Sequence, residues 1–241
     1  MSSVHEAATA HAIETRVWSM LRQLADRARR GHAVRERTGL TLDRRGQLHE
    51  ISEREALIVA RPDLDVGWSA PARLDRGASQ LLDLYMPLCV GAGSDCLILA
   101  HLGQSADGHV ATFSGSSKFI TGEADIEHTH RLRALFDAVL VGASTIAIDD
   151  PQLTTRLVAG RTPVRVVLDP TRRLPPHHTV FADRAARTLL VVDDASDRDR
   201  PGHVDVLAIR RRSDGEFDLA VLMERLRERG LRRVFIEGGG V

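Results

Sequence analysis

Short apolar runs alternate with longer amphipathic segments in the part of the chain beyond residue 95. The apolar runs predict strands at 96–102, 138–142, 164–169, 188–192, 204–209 and 233–237, and three-to-four spacing of apolar residues predicts helices at 123–136 and 219–229. Strands that alternate with helices are typical of an α/β fold. We therefore expect an α/β sheet with flanking helices in this part of the chain.

The region before it has a different pattern and carries no chemical motif. Apolar residues at helical spacing predict helices at 5–30 and 74–88, and short runs predict a hairpin of 40–42 with 48–51 and a further strand at 56–60. The glycine-bearing segment 91–95 is predicted to be a hinge. We therefore expect a small α+β region at 1–90, whose role the sequence does not indicate, and a second region at 96–241.

Composition and charge exclude several classes of protein. The chain has 33 basic and 33 acidic residues and only 4% aromatic residues, a balance that argues against binding to nucleic acid or to an anionic membrane. Its 2 cysteines are too few for a disulfide scaffold or a four-ligand zinc site, so no metal is expected. Because it has neither a signal-peptide pattern nor an apolar run of membrane-spanning length, we expect a cytoplasmic protein.

Polar segments follow the predicted strands, which is where an open α/β sheet places its ligand. Arg133 lies beside the apolar stripe of helix 123–136, and Arg156 offers a second cation, so a phosphorylated small molecule is a candidate ligand. Spacing alone is equally compatible with Arg133 being a surface residue that packs its stem. Asp149 and Asp150 precede a proline, and on their own they are compatible with a simple turn.

Several motifs occur in one order along the second region, ending with a charged residue and three glycines, whose amides can approach an anion closely. They are Gln104-Ser105-x-Asp107-Gly108, Ser114-Gly115-x-Ser117-x-Phe119-Ile120-Thr121-Gly122, His130-Arg131-Leu132-Arg133, Asp137-Ala138-Val139-Leu140-Val141-Gly142-Ala143-x-Thr145, Asp149-Asp150-Pro151-x-Leu153-Thr154-x-Arg156 and Glu237-Gly238-Gly239-Gly240. Together they resemble the reductase domain of the bacterial riboflavin biosynthesis deaminase/reductase family, which has a dihydrofolate-reductase-like fold. The resemblance extends from about residue 96 to the end of the chain.

The resemblance implies an NADPH-dependent reduction that opens the ribose of a phosphoribosylamino-pyrimidine to a ribityl chain. The positions that match substrate contacts are Ser117, Arg133, Leu153, Arg156 and Glu237, and those that match cofactor contacts are Gly103, Phe119, Thr145, Asp149, Pro170, Gly239 and Gly240. The arginines would hold the substrate phosphate and the glycine loop the cofactor phosphates. Asp107, the candidate catalytic residue, would orient the loop beside the nicotinamide. Dimers are common among the proteins that the chain resembles, and a homodimer is compatible with the sequence.

The chain departs from the family pattern at several points. Phe119 replaces a common tryptophan, and Pro170 replaces a residue that is often polar, which removes a backbone donor. Arg172 or Arg173 could supply the 2′-phosphate contact instead. The zinc signature of the companion deaminase is absent from 1–90. The family continues beyond the glycines, so we expect the reductase domain to be incomplete at its C-terminal end and the chain alone to turn over slowly.

Two other functions remain compatible with the sequence. One is a related NADPH reductase that acts on a pterin-like heterocycle, and the other is a non-catalytic nucleotide-binding protein. The two arginines favour a phosphorylated substrate and hence the pyrimidine reductase. The exact substrate and the oligomeric state cannot be derived from the sequence.

Overall fold

The computed structural model describes residues 2–90 (with side chains from residue 12), 96–110, 122–193 and 202–238. The chain divides into two compact units, Met1–Ser94 and Asp95–Val241, and each has a sheet of its own. None of the helices in the described ranges combines the length and the apolar character that crossing a bilayer requires.

The first unit is a small α+β structure. It contains, in chain order, α1 (Ser2–Arg29), β1 (Thr38–Leu42), β2 (Leu48–Ile51), β3 (Ile58–Ala60), β4 (Trp68–Ser69) and α2 (Arg76–Cys89). The strands form an antiparallel sheet in the order β2-β1-β3-β4. Helices α1 and α2 pack together, with the ring of Trp18 edge-on to that of Tyr85 at 5.8 Å between centroids. The predicted helices and hairpin are confirmed, whereas β4 was not predicted.

The turn of the hairpin is stabilised by one aspartate. The carboxylate of Asp43 accepts hydrogen bonds from the amides of Arg45 at 2.8 Å and Gln47 at 2.9 Å. Gly46 has a φ of +75°, a left-handed conformation that glycine adopts without steric cost. The glycine turn that the sequence indicates is therefore the turn that the structure uses.

The second unit is an α/β structure with a six-stranded parallel sheet. It contains β5 (Leu97–His101), α3 (Glu123–Leu135), β6 (Ala138–Gly142), α4 (Ala143–Asp149), β7 (Val164–Leu168), α5 (Thr179–Ala182), β8 (Thr188–Val192), β9 (Val204–Ala208), α6 (Leu219–Glu228) and β10 (Arg233–Glu237). The strand order is β5-β10-β6-β7-β8-β9, and every pairing is parallel. The last strand of the chain therefore lies between the first two strands of this sheet.

The central strands are buried because their side chains are apolar on both faces of the sheet. All five residues of β8 are buried, and so are the first four of β6, which explains their continuous valine- and leucine-rich runs. Leu222 and Leu226 of α6 pack into a core cluster with Leu189, Val234 and other residues from one face of the sheet. The continuous apolar runs of β6 and β8 therefore match strands that are covered on both faces.

A buried aspartate fixes the start of β10 beside β6. The Oδ2 atom of Asp137 accepts hydrogen bonds from the amides of Arg232 at 3.0 Å and Arg233 at 2.9 Å. The guanidinium of Arg233 in turn donates to the carbonyl of Leu135 at 3.1 Å and lies over the ring of Phe136. These contacts set the register in which β10 enters the sheet.

The strands and helices predicted for this unit are confirmed to within one residue at each end. Helices α4 and α5 were not predicted, because 7 and 4 residues respectively are too few to show a helical period in the sequence. The predicted hinge at 91–95 lies outside the described residues.

Candidate functional site at the carboxyl edge of the parallel sheet

The fold gathers distant candidate residues at one edge of the sheet. Gly103 follows β5, Glu237 is the last residue of β10, Thr145 follows β6 on α4, and Pro170 follows β7. These four strands are neighbours and all run parallel, so their carboxyl ends lie side by side. This is the edge at which open α/β sheets bind ligands.

Arg133 and Glu237, both predicted substrate contacts, form an ion pair with each other. The Nε atom of Arg133 donates to one carboxylate oxygen of Glu237 at 2.7 Å, and its Nη2 donates to the other at 2.6 Å. Arg133 is 8% exposed, so the interpretation of a surface arginine is wrong. Two parallel, charge-assisted hydrogen bonds in a buried setting fix the orientation of the Glu237 carboxylate.

The segment that carries Arg156 is fastened to helix α3. The carbonyl of Thr154 accepts from Nη1 of Arg133 at 3.1 Å, and the amide of Arg156 donates to Nδ1 of His130 at 3.2 Å. Leu153, another predicted substrate contact, is buried at φ +55°, a conformation rare for a bulky residue. Tertiary contacts therefore determine the path of this segment.

The side chain of Arg156 is exposed, and most of its guanidinium donors face solvent. Its Nη1 atom donates to the hydroxyl of Thr154 at 3.3 Å. Within the described ranges no carboxylate forms an ion pair with this guanidinium. Arg156 thus presents unused donors to solvent, unlike Arg133.

His130 is buried between the two arginines. Burial first, and then the charges of Arg133 and Arg156, lower the pKa of His130 to about 4, while a hydrogen bond with the Thr154 backbone opposes this. Its imidazole is therefore neutral near pH 7. Since Nδ1 accepts from the Arg156 amide, the proton of the neutral ring is on Nε2.

The two adjacent aspartates at the end of α4 differ in setting. Asp150, at φ +40°, ends the helix, and its carboxylate accepts from the amide and hydroxyl of Thr179 at 2.8 and 2.9 Å. Burial raises the pKa of Asp150, but hydrogen bonds from Thr179 and His178 outweigh it, and the net pKa is lowered. The turn interpretation is therefore confirmed for Asp150. Asp149, the predicted cofactor contact, is half-buried at the last position of the helix.

Asp107 lies in a tight turn after β5. The amide of Ser105 donates to the carbonyl of His109 at 2.8 Å, and Gly108 at φ +84° allows the chain to reverse. The hydroxyl of Ser105 donates to the Asp107 carboxylate, and this bond first, then His109, lowers the carboxyl pKa. Asp107 is exposed and orders its own turn, while its catalytic role remains a prediction.

Four predicted contact residues, Ser117, Phe119, Gly239 and Gly240, lie outside the described residues. Among the residues that are described, no group of three or more His, Cys, Asp or Glu side chains is arranged to hold a metal ion.

Sequence reasoning missed a histidine cluster at the end of β5. His101 is the register partner of Glu237 in the sheet, and its Nε2 lies 3.1 Å from a carboxylate oxygen of Asp125. The ring of His128 lies edge-on to that of His101, with centroids 5.3 Å apart. Burial first, and then His101, lower the pKa of His128. The sequence shows only a histidine at the end of an apolar strand, and this pattern does not indicate which residues lie beside it.

The second unit is thus an α/β domain with an open parallel sheet. The oriented Glu237 carboxylate lies at the carboxyl edge of this sheet, where α/β domains of this class place their ligands. Residues 97–241 match the family described as the RibD C-terminal domain. The chain belongs to this family, and the predicted family and dihydrofolate-reductase-like fold are confirmed.

Individual relatives agree with this membership. The chain is 37% identical over 151 residues to the 2,5-diamino-6-ribosylamino-4(3H)-pyrimidinone 5′-phosphate reductase of Methanothermobacter thermautotrophicus, covering 59% of this chain and 67% of that protein. It is 34% identical over 140 residues to the riboflavin biosynthesis protein RibD of Aquifex aeolicus, covering 56% of this chain and 38% of that protein.

A solved structure is similar over the same part of the chain. It is a diaminohydroxyphosphoribosylaminopyrimidine deaminase/5-amino-6-(5-phosphoribosylamino)uracil reductase from Thermotoga maritima. The TM-score is 0.52 at 33% identity, with 59% of this chain and 39% of that chain covered. The chain thus spans less than half the length of the Aquifex and Thermotoga proteins, and about two thirds of the Methanothermobacter reductase.

Proposed function

We propose that the second unit catalyses the NADPH-dependent reduction of a phosphoribosylamino-pyrimidine to its ribitylamino form, a step of riboflavin biosynthesis. Family membership and the reductase names of the relatives support this assignment. The observation that carries it is that two groups lie beside the same segment of α3. The Glu237 carboxylate is oriented by Arg133, and the backbone of Arg156, whose guanidinium is exposed, is hydrogen-bonded to His130. A carboxylate and a separate cation suit a substrate with polar sugar groups and a phosphate.

The two predicted phosphate-binding arginines take different roles in this proposal. Arg156 holds the substrate phosphate, because its donors are open to solvent. Arg133 orients Glu237, whose carboxylate accepts hydrogen bonds from the sugar or the pyrimidine. Leu153 and Ser117 also contact the substrate in this proposal. The backbone at Leu153 is positioned by the hydrogen bond from Arg133 of α3 to the carbonyl of Thr154.

The residues of the neighbouring strand ends fit a nicotinamide dinucleotide. Thr145 and the adjacent Ser144 offer hydroxyls, Gly103 leaves room for close approach, and Arg173 brings positive charge to Ser144. A reduced nicotinamide bound here would supply the hydride. The chain's own contribution is to align the anomeric carbon of the sugar with that ring and to exclude water. Asp107, through its turn, orients the segment that follows β5.

We propose that the protein works in the cytoplasm on a phosphorylated small molecule, without nucleic acid or membrane, and that it can form a homodimer. The domain at 96–241 carries the reductase site, and the role of 1–90 stays open.

The assignment is tested by consumption of NADPH with phosphorylated and dephosphorylated pyrimidine ribosides. The phosphorylated compound should be reduced at the higher kcat/KM, and Arg156→Ala should remove most of that preference, by about ten- to a hundredfold. Arg184→Ala, an exposed arginine before β8, is the matched control and should keep the preference. Equal use of both ribosides by the unaltered protein would contradict the assignment.

A further inference from the structure

The first unit contains a cavity of about 580 Å³ between the C-terminal end of α1 and the hairpin of β1 and β2. Apart from Leu48, the residues that line this α1–hairpin cavity are polar or charged. A cavity of this size can hold a small metabolite, and a lining of this kind suits a polar one.

The walls of the α1–hairpin cavity are fixed by hydrogen bonds between α1 and the hairpin. The side chain of Gln23 donates to the carbonyl of Gly46 at 2.9 Å and accepts from the amide of Leu48 at 2.9 Å. Arg27 donates to the carboxylate of Glu50 at 2.9 Å and to the carbonyl of Leu48 at 3.2 Å. These bonds hold β2 beside α1, so the cavity is formed before any ligand binds.

Two basic side chains of this lining, Arg30 and His32, are open to a ligand. The amides of both residues donate to the carbonyl of Arg27, at 3.1 and 2.9 Å, and Gly31 between them adopts φ +83°. Their backbone is therefore held at the end of α1, while their side chains are exposed. Within the described ranges, neither side chain has a hydrogen-bond or ion-pair partner.

This lining selects a small anion that also carries hydroxyl groups. The guanidinium fork of Arg30 and the ring N–H of His32 suit the oxygens of a phosphate ester. Glu50 uses one carboxylate oxygen for Arg27, so its other oxygen and the side-chain amide of Gln47 can bind hydroxyl groups. Because Asp26 and Glu50 are also in the lining, their charges repel a long polyanion such as a nucleic acid.

We propose that the α1–hairpin cavity binds a small phosphorylated metabolite with hydroxyl groups, such as a sugar phosphate, and that Arg30 and His32 hold its phosphate. Arg27 positions Glu50 for the hydroxyl groups. This assigns a ligand-binding role to the first unit. It does not depend on the proposed reductase function, since every residue that it uses belongs to Met1–Ser94.

The test is calorimetric binding of ribose 5-phosphate to the full chain with Arg156→Ala, a substitution that removes the candidate phosphate contact of the second unit. Adding Arg30→Ala should weaken this binding by about ten- to a hundredfold. Arg30→Lys should recover part of the loss, because it restores the charge without the fork. Arg35→Ala is the matched control: it removes an exposed arginine of the same unit that does not line the cavity, and it should leave the affinity unchanged.

Ribose and a single-stranded oligonucleotide are the comparison ligands. Ribose should bind at least about tenfold more weakly than ribose 5-phosphate, because it lacks the phosphate. The proposal is overturned if ribose 5-phosphate does not bind, or if its affinity is the same with and without Arg30→Ala, and the reductase function stands in either case. Tighter binding of the oligonucleotide, lost in Arg30→Ala, would also overturn it and identify a nucleic-acid site. Thermal unfolding of each variant verifies that these exposed substitutions leave the fold intact.

Discussion

Arg133 on α3 and Glu237 at the end of β10 are 104 residues apart in the chain and joined by two hydrogen bonds of 2.7 and 2.6 Å. The pair links β10, the last strand along the chain, to helix α3. Because the Arg133 side chain is 9% exposed and that of Glu237 16%, solvent screens this pair weakly. The same contact thus stabilises the fold and orients a carboxylate at the carboxyl edge of the parallel sheet.

Breaking this pair from one side should be costly. Arg133→Met leaves the Glu237 carboxylate without its partner, and we expect a loss of about 3 kcal/mol in the free energy of unfolding. The double variant Arg133→Met, Glu237→Leu should be less destabilised than the sum of the single variants, since no unpaired charge remains. Urea denaturation of the four proteins measures this. Additive losses would show that the two side chains do not interact.

The buried His130 should make stability depend on pH. Its pKa is about 4 in the folded protein and near 6.5 when unfolded, so the unfolded chain binds more protons between these values. The stability from neutral His130 is present above about pH 6.5 and is lost as the pH falls towards 4, with a slope of at most about 1.4 kcal/mol per pH unit.

The variant His130→Asn isolates this effect, because its amide oxygen can replace Nδ1 as acceptor for the Arg156 amide and does not titrate. Urea denaturation of both proteins from pH 4 to 8 should give a flatter profile for the variant. Any difference at pH 8 reports the change in packing and hydrogen bonding, since His130 is neutral there. Profiles with identical slopes between pH 4 and 6.5 would contradict the burial of His130.

Asp150 should stabilise the connection between α4 and α5 as a cap. Asp150→Ala removes the acceptor for the amide and hydroxyl of Thr179, and we expect a cost of about 1 kcal/mol. Asp150→Asn should cost less, since it keeps an acceptor and tolerates a positive φ. Asp205→Ala is the control: its ion pair with Arg187 is exposed and should be worth less than about 0.5 kcal/mol. Equal losses for Asp150→Ala and Asp205→Ala would refute the cap.

Much of the fold followed from local pattern. The valine-rich runs of β6, β7 and β8 are buried on both faces of the sheet. Short, continuous apolar runs of this length are typical of strands in a parallel sheet, so these strands could be predicted. The order of these strands in the sheet did not follow. Nothing in the run 233–237 indicates that it inserts between β5 and β6, since that depends on contacts such as Asp137 with Arg232 and Arg233.

The site was predicted only in part for the same reason. The resemblance marked Arg133 and Glu237 as separate ligand contacts, and only the position of β10 reveals that they bind each other. His101 went unnoticed because its partner Asp125 lies on another element. The left-handed Leu153 could not be foreseen, since a leucine prefers other conformations and is held there by the surrounding structure.

The measurement that tests the central claim most directly follows the hydride. The full chain, in excess over the phosphoribosylamino-pyrimidine so that slow turnover does not hide the reaction, is mixed with NADPH deuterated at the transferred position of the nicotinamide. Mass spectrometry should then find a ribitylamino product with one deuterium on the carbon that was the anomeric carbon. A substrate recovered unchanged, while NADPH binds, would contradict the account and identify the domain as a nucleotide-binding protein without this chemistry.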